Sequence, residues 1–428
     1  MSAILFRDGR VIDPSQQLDE VTHLLVQDGK IAAIGRDLGT PDGARVVDAT
    51  GLVIAPGLID VHVHLREPGQ EDRETIATGA ASAVAGGFTG ICAMPNTDPV
   101  IDNQAAVGFV KARGLEAALA RVYPIGCISL GQRGEQLAEF GEMVAAGAVA
   151  VSDDGHPVMS SQLMRTAMEY ARIFGIPVAD HCEDTPLAHG GAMHEGIVST
   201  RLGLKGIPSA AEEIHVARDC ILADLTGGHV HLCHMSTRGS VDLIRRAKEK
   251  GLPVTAEAAP HHFSLTHERC EGYDTNAKMN PPLREAEDRD AIRAALADGT
   301  IDCIATDHAP HHYDAKEREF DDAPNGIIGL ETALSIGLRE LVQPGLLSLA
   351  TLIERMSCAP ARLWHLDGGS LRRGGVADIV VFDPAATWTV EPSRFRSKSR
   401  NTPWGGETLP GVVHWTLVAG RPVYQRAP

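Results

Sequence analysis

The sequence has no stretch of about 18 uncharged apolar residues, so we predict no membrane span. The N-terminal segment MSAILFRDGRVIDP also lacks the long apolar core and small-residue cleavage site of a signal peptide, because Arg7 and Asp8 follow a very short apolar run. Internal repeats and low-complexity segments are absent as well. Together these absences predict a cytosolic globular protein.

Positive charge is scarce: 39 Lys and Arg face 56 Asp and Glu, for a formal net charge of -17. Such a chain is a poor partner for polyanions, so we expect it to bind neither nucleic acid nor an anionic membrane surface. A small anionic substrate is still compatible with this charge, because a buried pocket with metals and an arginine sets its own local field.

The eight cysteines show no paired spacing, which predicts reduced thiols that behave as small hydrophobes. Cys182 and Cys233 are the two exceptions to consider, because they adjoin candidate metal ligands.

Both ends of the chain have β character. ILFRDGRVIDP and HLLVQDGKIAAIGRD each predict a strand, an Asp-Gly turn and a second strand, and DIVVFDP and HWTLVAGRPVYQ near the C-terminus are strand-like too. The pattern alone leaves open whether the two ends meet in one small sheet domain.

The middle of the chain, from about residue 56 to 364, alternates short apolar strands with Ala-rich helices. Helices that end in Gly just before the next strand give a good stop signal. Eight strand-like runs separated by helices favour parallel βα units, most simply a (β/α)8 barrel. The eight runs are LIDVHVHL, FTGICAMP, RVYPIGCIS, AVAVSDD, IPVADHCE, HVHLCHM, LPVTAEAAP and IDCIATDHAP.

Polar residues collect at the ends of these strands, which is the catalytic face of such a barrel. In DVHVHLREPG, residues two apart on a strand point the same way, so Asp60, His62 and His64 project together. A lone His-x-His pair is weak evidence for a metal site.

Further candidate ligands lie at other strand ends. Each has an ordinary structural explanation, as a turn former, a hydrogen-bonded core histidine or a helix cap. Their joint occurrence at strand ends indicates a metal site. These residues are Asp153 or Asp154, His181, His234 and Asp307.

This constellation resembles the amidohydrolase superfamily and closely resembles the class I dihydroorotases. The similarity covers almost the whole chain and rests on DVHVHLREPG, GGFTGICAMPNTDPV, SDDG, DTNAKMNPPLR and ATDHAPH, in the family's order. It implies a distorted (β/α)8 TIM-type barrel with a small β-sandwich domain built from both chain ends. We therefore expect a β domain from residues 1–55 and 365–428 and a barrel from 56–364.

The resemblance also implies the ligand set. His62, His64 and Asp307 would hold a first zinc ion, and His181 and His234 a second. Asp154 and a hydroxide would bridge the two ions. Many relatives use a carbamylated lysine as the bridge, but the corresponding motif here offers an aspartate, so no modified lysine is expected. Zinc suits the His/Asp donors best, although cobalt or manganese would also bind.

The implied reaction is the reversible cyclisation of N-carbamoyl-L-aspartate to (S)-dihydroorotate and water in de novo pyrimidine synthesis. A metal-bridged hydroxide would attack the cyclic amide, and Asp307 would be the catalytic acid/base that moves its proton to the ring nitrogen. The same groups serve both directions.

Substrate contacts follow from the same resemblance. The planar fork of Arg66 suits the carboxylate outside the ring, with Asn96 and His311 as further partners; Asn280 would bind the ring, and His64 would also contact the substrate. Asn325 departs from the family, which often has an apolar residue before Gly326, so we expect a backbone contact from this pair. The polar segment HHYDAKEREFDDAPNG, residues 311–326, is predicted to be a mobile lid, with a plain surface loop as the alternative.

Two other functions stay open at this point. A hydantoinase or allantoinase would share the metals but would not need Arg66 and Asn96 for a ring carboxylate. A noncatalytic partner of aspartate transcarbamoylase would have lost ligands, whereas all six positions are filled here. The family resemblance further implies a homodimer, and a complex with aspartate transcarbamoylase is compatible with catalysis.

Overall fold

The computed structural model describes residues 3–426. Eighteen strands lie in this range. They are β1 (Ala3–Asp13), β2 (Leu18–Gln27), β3 (Lys30–Gly35), β4 (Arg45–Asp48), β5 (Val53–Pro56), β6 (Leu58–Val63), β7 (Phe88–Ala93), β8 (Arg121–Pro124), β9 (Val151–Ser152), β10 (Val178–Asp180), β11 (Met193–His194), β12 (Gly206–Ile207), β13 (Val230–Leu232), β14 (Val254–Ala258), β15 (Cys303–Ile304), β16 (Ile379–Thr389), β17 (Thr408–Val418) and β18 (Arg421–Gln425).

Most helices connect these strands, and short 3-10 and π turns extend some of them. The α-helices are α1 (Ile76–Ala85), α2 (Gln104–Ala117), α3 (Phe140–Ala146), α4 (Ser161–Phe174), α5 (Thr185–Ala188), α6 (Ile197–Leu202), α7 (Ala210–Thr226), α8 (Arg238–Glu249), α9 (Pro260–Ser264), α10 (Ala286–Asp298), α11 (Tyr313–Lys316), α12 (Ala333–Gly337), α13 (Leu349–Ile353) and α14 (Ala359–Leu363). None of the helices formed by residues 3–426 is long and apolar enough to cross a membrane.

Eight strands in the middle of the chain pair in parallel. One group has the order β6-β7-β8, and the other has the order β9-β10-β13-β14-β15. Parallel bridges join the groups at both ends, from Gly126 to Val151 and from Val63 to His308. The pairing therefore passes through all eight strands that the sequence pattern indicates and returns to the first.

Local sequence explains the helices between these strands, as α4 illustrates. The Ser160 side chain accepts the Leu163 N–H at the start of α4, and Gly175 ends it in the left-handed region with φ 67°. Its buried residues recur at helical spacing and face the strands: Met164, Ala167, Met168 and Ala171. The strands of the ring are buried on both faces, as expected for parallel strands covered by helices.

Strands from the two chain ends form a second sheet. Its order is β18-β17-β16-β5-β1-β2-β3, with β4 paired to β1. The antiparallel pair β16 and β5, with Val380 opposite Ala55, joins the C-terminal strands to the N-terminal ones. The two ends of the chain therefore do meet in one sheet.

One predicted turn is wrong. The sequence pattern indicates an Asp-Gly hairpin turn at Asp8 and Gly9, but β1 continues through both residues and only its pairing with β2 shifts there. Asp8 takes a positive φ of 57°, and a Cβ on Gly9 would lie 2.5 Å from Ile54. The dipeptide is a bulge that fits against β5. The second Asp-Gly pair, Asp28 and Gly29, is the tight turn between β2 and β3.

Candidate metal centre and active site

Six predicted metal ligands come together where the ring strands end. His62 lies at the end of β6 and His64 directly after it, and the others follow β9, β10, β13 and β15, so all project from the same end of the ring. Every one of them is at most 5% exposed: His62, His64, Asp154, His181, His234 and Asp307.

The backbone at this end is unusual. His234 has φ 38°, Asp307 has φ 47° and Arg66 has φ 61°, values that L-residues rarely adopt. Such conformations concentrate at functional sites, where surrounding packing enforces them. Here they occur at three residues where the chain leaves strands of the ring.

Asp154 lies at the centre of four imidazoles. Its Oδ1 is 3.5 Å from His62 Nε2, 3.4 Å from His181 Nδ1 and 3.4 Å from His234 Nε2, while its Oδ2 is 3.4 Å from His64 Nε2. A single carboxylate therefore faces every predicted histidine ligand.

Asp307 is a second carboxylate that contacts His62 and His64. Its Oδ1 is 3.1 Å from His64 Nε2 and 3.5 Å from His62 Nε2. The donor atoms of His62, His64 and Asp307 lie within 4.8 Å of one another, and so do those of His62, Asp154 and His234. Five of the six residues thus form two donor groups that share His62.

These residues fit divalent cations. His62 Nε2 and Asp154 Oδ1 are buried and have no hydrogen-bond partner among the described residues, which is costly unless a ligand satisfies them. His181 Nδ1 and His234 Nε2 are only 2.9 Å apart, although both face Asp154. Imidazole nitrogens and carboxylate oxygens that converge in this way are the usual donors for zinc.

The electrostatics of the cluster also require positive charge. Burial alone would raise the pKa of Asp154, but His62, His181 and His234 hold it well below its ordinary value. Burial opposes protonation of His181, yet Asp154 and Glu183 raise its pKa to about 10. The carboxylates therefore favour positive charge on the imidazoles around them, and a bound metal ion can supply that charge instead of protons.

The neighbouring residues Asp153 and Asp154, which the sequence alone could not tell apart, have different contacts in the structure. Asp153 Oδ1 accepts the backbone N–H groups of Ile128 and Ser129 at 2.8 and 3.1 Å, and its Oδ2 bonds the Ser129 hydroxyl. Asp153 thus hydrogen-bonds the loop that follows β8, whereas Asp154 faces the imidazoles.

Two carboxylates that sequence reasoning missed hold the histidine ligands. Glu257 on β14 accepts the His62 Nδ1 proton at 2.7 Å, which leaves His62 Nε2 free for a cation. Glu183 Oε2 lies 3.4 Å from His181 Nε2, on the ring edge opposite the donor atom. The one signal for Glu257 was an acidic residue inside the buried strand VTAEA.

Asn96 holds a ligand as well. Its Oδ1 accepts the His64 Nδ1 proton at 2.8 Å, and its Nδ2 donates to the Asp154 carbonyl at 3.3 Å. Asn96 also lines the cavity in front of the cluster. It can therefore fix the tautomer of His64 and still face a substrate.

A cavity of about 280 Å³ opens over the donor cluster, and Arg66 is its cation. The Arg66 guanidinium is buried, donates to the Pro310 carbonyl at 3.2 Å and lies 3.5 Å from His311 Nε2. Burial lowers its pKa to about 10, so it is charged at neutral pH. Within residues 3–426, no carboxylate lies within ion-pair distance of Arg66.

The other predicted substrate contacts differ in their positions. Asn280 lines the cavity and donates to Glu183 at 3.2 Å, and His311 lines it while donating to the Asn325 carbonyl at 2.8 Å. Asn325 also lines the cavity, but Gly326 does not. The Gly326 N–H donates to the Lys278 carbonyl at 3.0 Å, so it is already engaged within the protein.

Two buried lysines bond the segment 311–326, Lys316 from within the segment and Lys278 from outside it. Lys316 Nζ donates to the carbonyls of Pro324 and Gly326 at 2.8 and 3.2 Å, and Lys278 Nζ donates to those of Phe320 and Asp321 at 2.6 and 2.9 Å. The predicted lid is thus packed down in this structure, and its motion stays a prediction.

The cysteines and the remaining site-flanking histidines take no donor position in the cavity. All eight cysteines are free, and burial raises the pKa of the Cys182 and Cys233 thiols well above the ordinary value. His262 Nε2 donates to the Pro281 carbonyl at 2.9 Å, and His308 Nε2 lies 3.3 Å from Glu74.

Comparison with known proteins matches the chain to a family. A dihydro-orotase-like family model matches residues 51–240. A dihydroorotase from Pelobacter propionicus is 56% identical over 423 residues, covering 99% of this chain and 100% of that protein. One from Anaeromyxobacter dehalogenans is 56% identical over 428 residues, covering 99% of both chains.

Solved structures give the same fold with lower identity. An L-hydantoinase (dihydropyrimidinase) from Arthrobacter aurescens aligns with a TM-score of 0.89 at 26% identity, covering 99% of this chain and 96% of that one. A dihydropyrimidinase from Brevibacillus agri aligns with a TM-score of 0.85 at 24% identity, covering 99% and 95%. The latter similarity is one of fold alone.

Proposed function

The chain belongs to the dihydroorotase family, and from that premise we propose that it interconverts N-carbamoyl-L-aspartate and (S)-dihydroorotate in pyrimidine synthesis. Full-length relatives of the family and the donor cluster at the strand ends both support a cyclic amidohydrolase. The choice of substrate depends on the cavity in front of the donors.

The position of Arg66 is the observation that favours dihydroorotate as the substrate. The Arg66 guanidinium is buried, lines the cavity beside the donor cluster and has no carboxylate partner among residues 3–426. A buried charge without such a partner is energetically unfavourable. A carboxylate on the substrate would pair with its planar fork and relieve that cost. Dihydroorotate carries such a carboxylate outside the ring that is opened, whereas a simple hydantoin does not.

The donor set supports two zinc ions, one held by His62, His64 and Asp307 and the other by His181 and His234, with Asp154 between them. When bound, such ions polarise the amide carbonyl and the attacking water. Asp154, which faces all four imidazoles, would serve both ions, so we expect no carbamylated lysine.

Asp307 is the group best placed to move the proton. Its carboxylate lines the cavity and contacts His64. In ring opening it would take a proton from the attacking water as the new C–O bond forms. It would return that proton to the ring nitrogen as the C–N bond breaks. In cyclisation the same carboxylate would move the proton in the opposite direction.

We interpret the closed ring of eight parallel strands as the distorted (β/α)8 barrel of this family, covering about residues 56–364. The sheet from both chain ends would be the companion β domain, formed by residues 1–55 and 365–428 as a β-sandwich. The pair β16 and β5 supports this division. A homodimer and a complex with aspartate transcarbamoylase remain predictions.

A hydantoinase-type reaction is the second candidate, because the hydantoinase fold matches over almost the whole chain. Such enzymes would need the same donor cluster. Arg66 separates the two functions, since it has no partner when the substrate lacks a carboxylate.

A substrate panel tests the proposal on the zinc-loaded protein. We expect kcat/KM for dihydroorotate to exceed that for 5,6-dihydrouracil, which is the same ring without the carboxylate, and those for hydantoin and allantoin. Arg66→Met should lower kcat/KM for dihydroorotate by about 10²-fold, because it removes one partner of a buried ion pair. The same change should leave any activity on dihydrouracil nearly unaltered, so this substrate is the internal control.

Two results would contradict the proposal. Faster turnover of hydantoin or allantoin than of dihydroorotate would assign the chain to the second candidate function. Equal losses on dihydroorotate and dihydrouracil in Arg66→Met would show that Arg66 supports the site without binding the carboxylate.

A further inference from the structure

A chain of hydrogen bonds runs from His62 into the interior of the strand ring, away from the cavity. His62 Nδ1 lies 2.7 Å from Glu257 Oε1, and Glu257 Oε2 lies 3.1 Å from His231 Nε2. His231 Nδ1 is 2.8 Å from Thr255 Oγ1, which is also 2.8 Å from His229 Nε2. The proposed function uses only the first of these five residues.

The strand register explains why the chain exists. β13 and β14 are neighbouring parallel strands, with His231 opposite Thr255. Thr255 and Glu257 are two residues apart on β14 and therefore point to the same face. His231 can consequently bond both of them, and it is fully buried inside the ring. The edge of Trp364 packs against it, with ring centroids 5.3 Å apart at 89°.

The donors and acceptors in the chain have one consistent order. An ionised carboxylate only accepts, so His62 donates from Nδ1 and His231 donates from Nε2 to Glu257. His231 Nδ1 then accepts the Thr255 hydroxyl proton, and Thr255 accepts from His229 Nε2. The His234 backbone N–H is a third donor to Glu257, at 3.2 Å from Oε1. Every polar atom of Glu257 and His231 is thereby satisfied.

We infer that His231 is a positioning residue for the metal ligand His62 and acts through Glu257. Its N–H holds the second oxygen of the carboxylate, so the first oxygen stays aimed at His62 Nδ1. His62 is then locked in the tautomer whose Nε2 lone pair faces Asp154 and Asp307. Thr255 in turn fixes the His231 tautomer that can donate to Glu257.

Two substitutions at His231 separate hydrogen bonding from packing. His231→Leu keeps apolar volume but removes the donor, whereas His231→Gln retains an N–H near the position of Nε2. We expect His231→Leu to weaken zinc binding about tenfold or more, as measured by competition with a chromogenic chelator. The glutamine variant should bind zinc within about threefold of wild type. At saturating zinc, kcat should fall in His231→Leu while KM for dihydroorotate stays unchanged.

His215→Leu is the matched control, because His215 is also a buried histidine but lies on α7, outside the donor cluster and the hydrogen-bond chain. Its zinc affinity should equal that of wild type. Wild-type zinc affinity in a folded His231→Leu protein would overturn the inference, and so would equally weak binding in the leucine and glutamine variants.

Thr255→Val provides a second test if His231→Leu fails to fold. It removes only the hydroxyl that fixes the His231 tautomer, so we expect zinc affinity to fall by about fivefold, less than in His231→Leu because Thr255 acts on His62 through two further residues. Unchanged zinc affinity in Thr255→Val would then overturn the inference.

Discussion

Asp307→Asn is expected to lower kcat for dihydroorotate hydrolysis by about 10³-fold, within the usual range for loss of a general acid/base. Asparagine keeps the shape of the side chain and one oxygen facing His64, but it cannot take up and return a proton. The steady-state rate should be measured at saturating zinc, with the zinc content of each preparation determined. Metal loss is then not mistaken for loss of proton transfer.

Asp314→Asn is a suitable control for this variant. Asp314 lies seven residues further along the chain, and its side chain is 72% exposed and 3.5 Å from His312 Nδ1. Its kcat should match wild type. If Asp307→Asn keeps more than a tenth of wild-type kcat, another group must transfer the proton.

Much of the fold could be predicted because each ring strand is a short apolar run bounded by turn signals. All eight runs became strands, and glycines such as Gly175 and Gly299 end helices with positive φ. The failure at Asp8 and Gly9 has a tertiary cause. The dipeptide is typical of a hairpin turn, but pairing with β2 on both sides and contact with Ile54 make it a bulge in one long strand.

The donor cluster was predictable for a different reason. Parallel strands end on one side of the ring, so polar residues at strand ends must converge even when they lie far apart in sequence. Asp307 contacts His64 across 243 positions for this reason. Alternation along β6 likewise predicts that His62 and His64 point the same way.

The groups that orient the donors could not be predicted in this way. Glu257 and His62 are 195 positions apart, and their contact depends on the separation of side chains across the inside of the ring. The same limit applies to Asn96, which the family resemblance identifies as a substrate contact but which also fixes His64. The choice of Asp154 over Asp153 rested on the family resemblance, because the residues are adjacent and chemically identical; in the structure it is Asp154 that faces the imidazoles.

Loss of the metal ions is the other change with a large expected effect. Treatment with a strong chelator should abolish activity and lower the melting temperature, because bound cations stabilise only the folded state. The reason lies in the donor cluster, where His62 Nε2 and Asp154 Oδ1 are buried and have no hydrogen-bond partner within residues 3–426. Adding zinc back should restore activity and stability in full.

Asp154→Asn should lose more than about 10³-fold in kcat and should not recover fully with added zinc, because one carboxylate faces all four imidazoles. Asp153→Asn is a matched neighbour. It keeps an Oδ1 that can accept from Ile128 and Ser129 but replaces the Oδ2 acceptor of the Ser129 hydroxyl with an NH2 donor, so it should be less stable yet bind as much zinc as wild type. Zinc stoichiometry by elemental analysis and kcat distinguish the two variants. Normal zinc content in Asp154→Asn, or zinc loss in Asp153→Asn, would show that the bridging position is assigned to the wrong residue, since an asparagine amide carries no negative charge to hold two cations together.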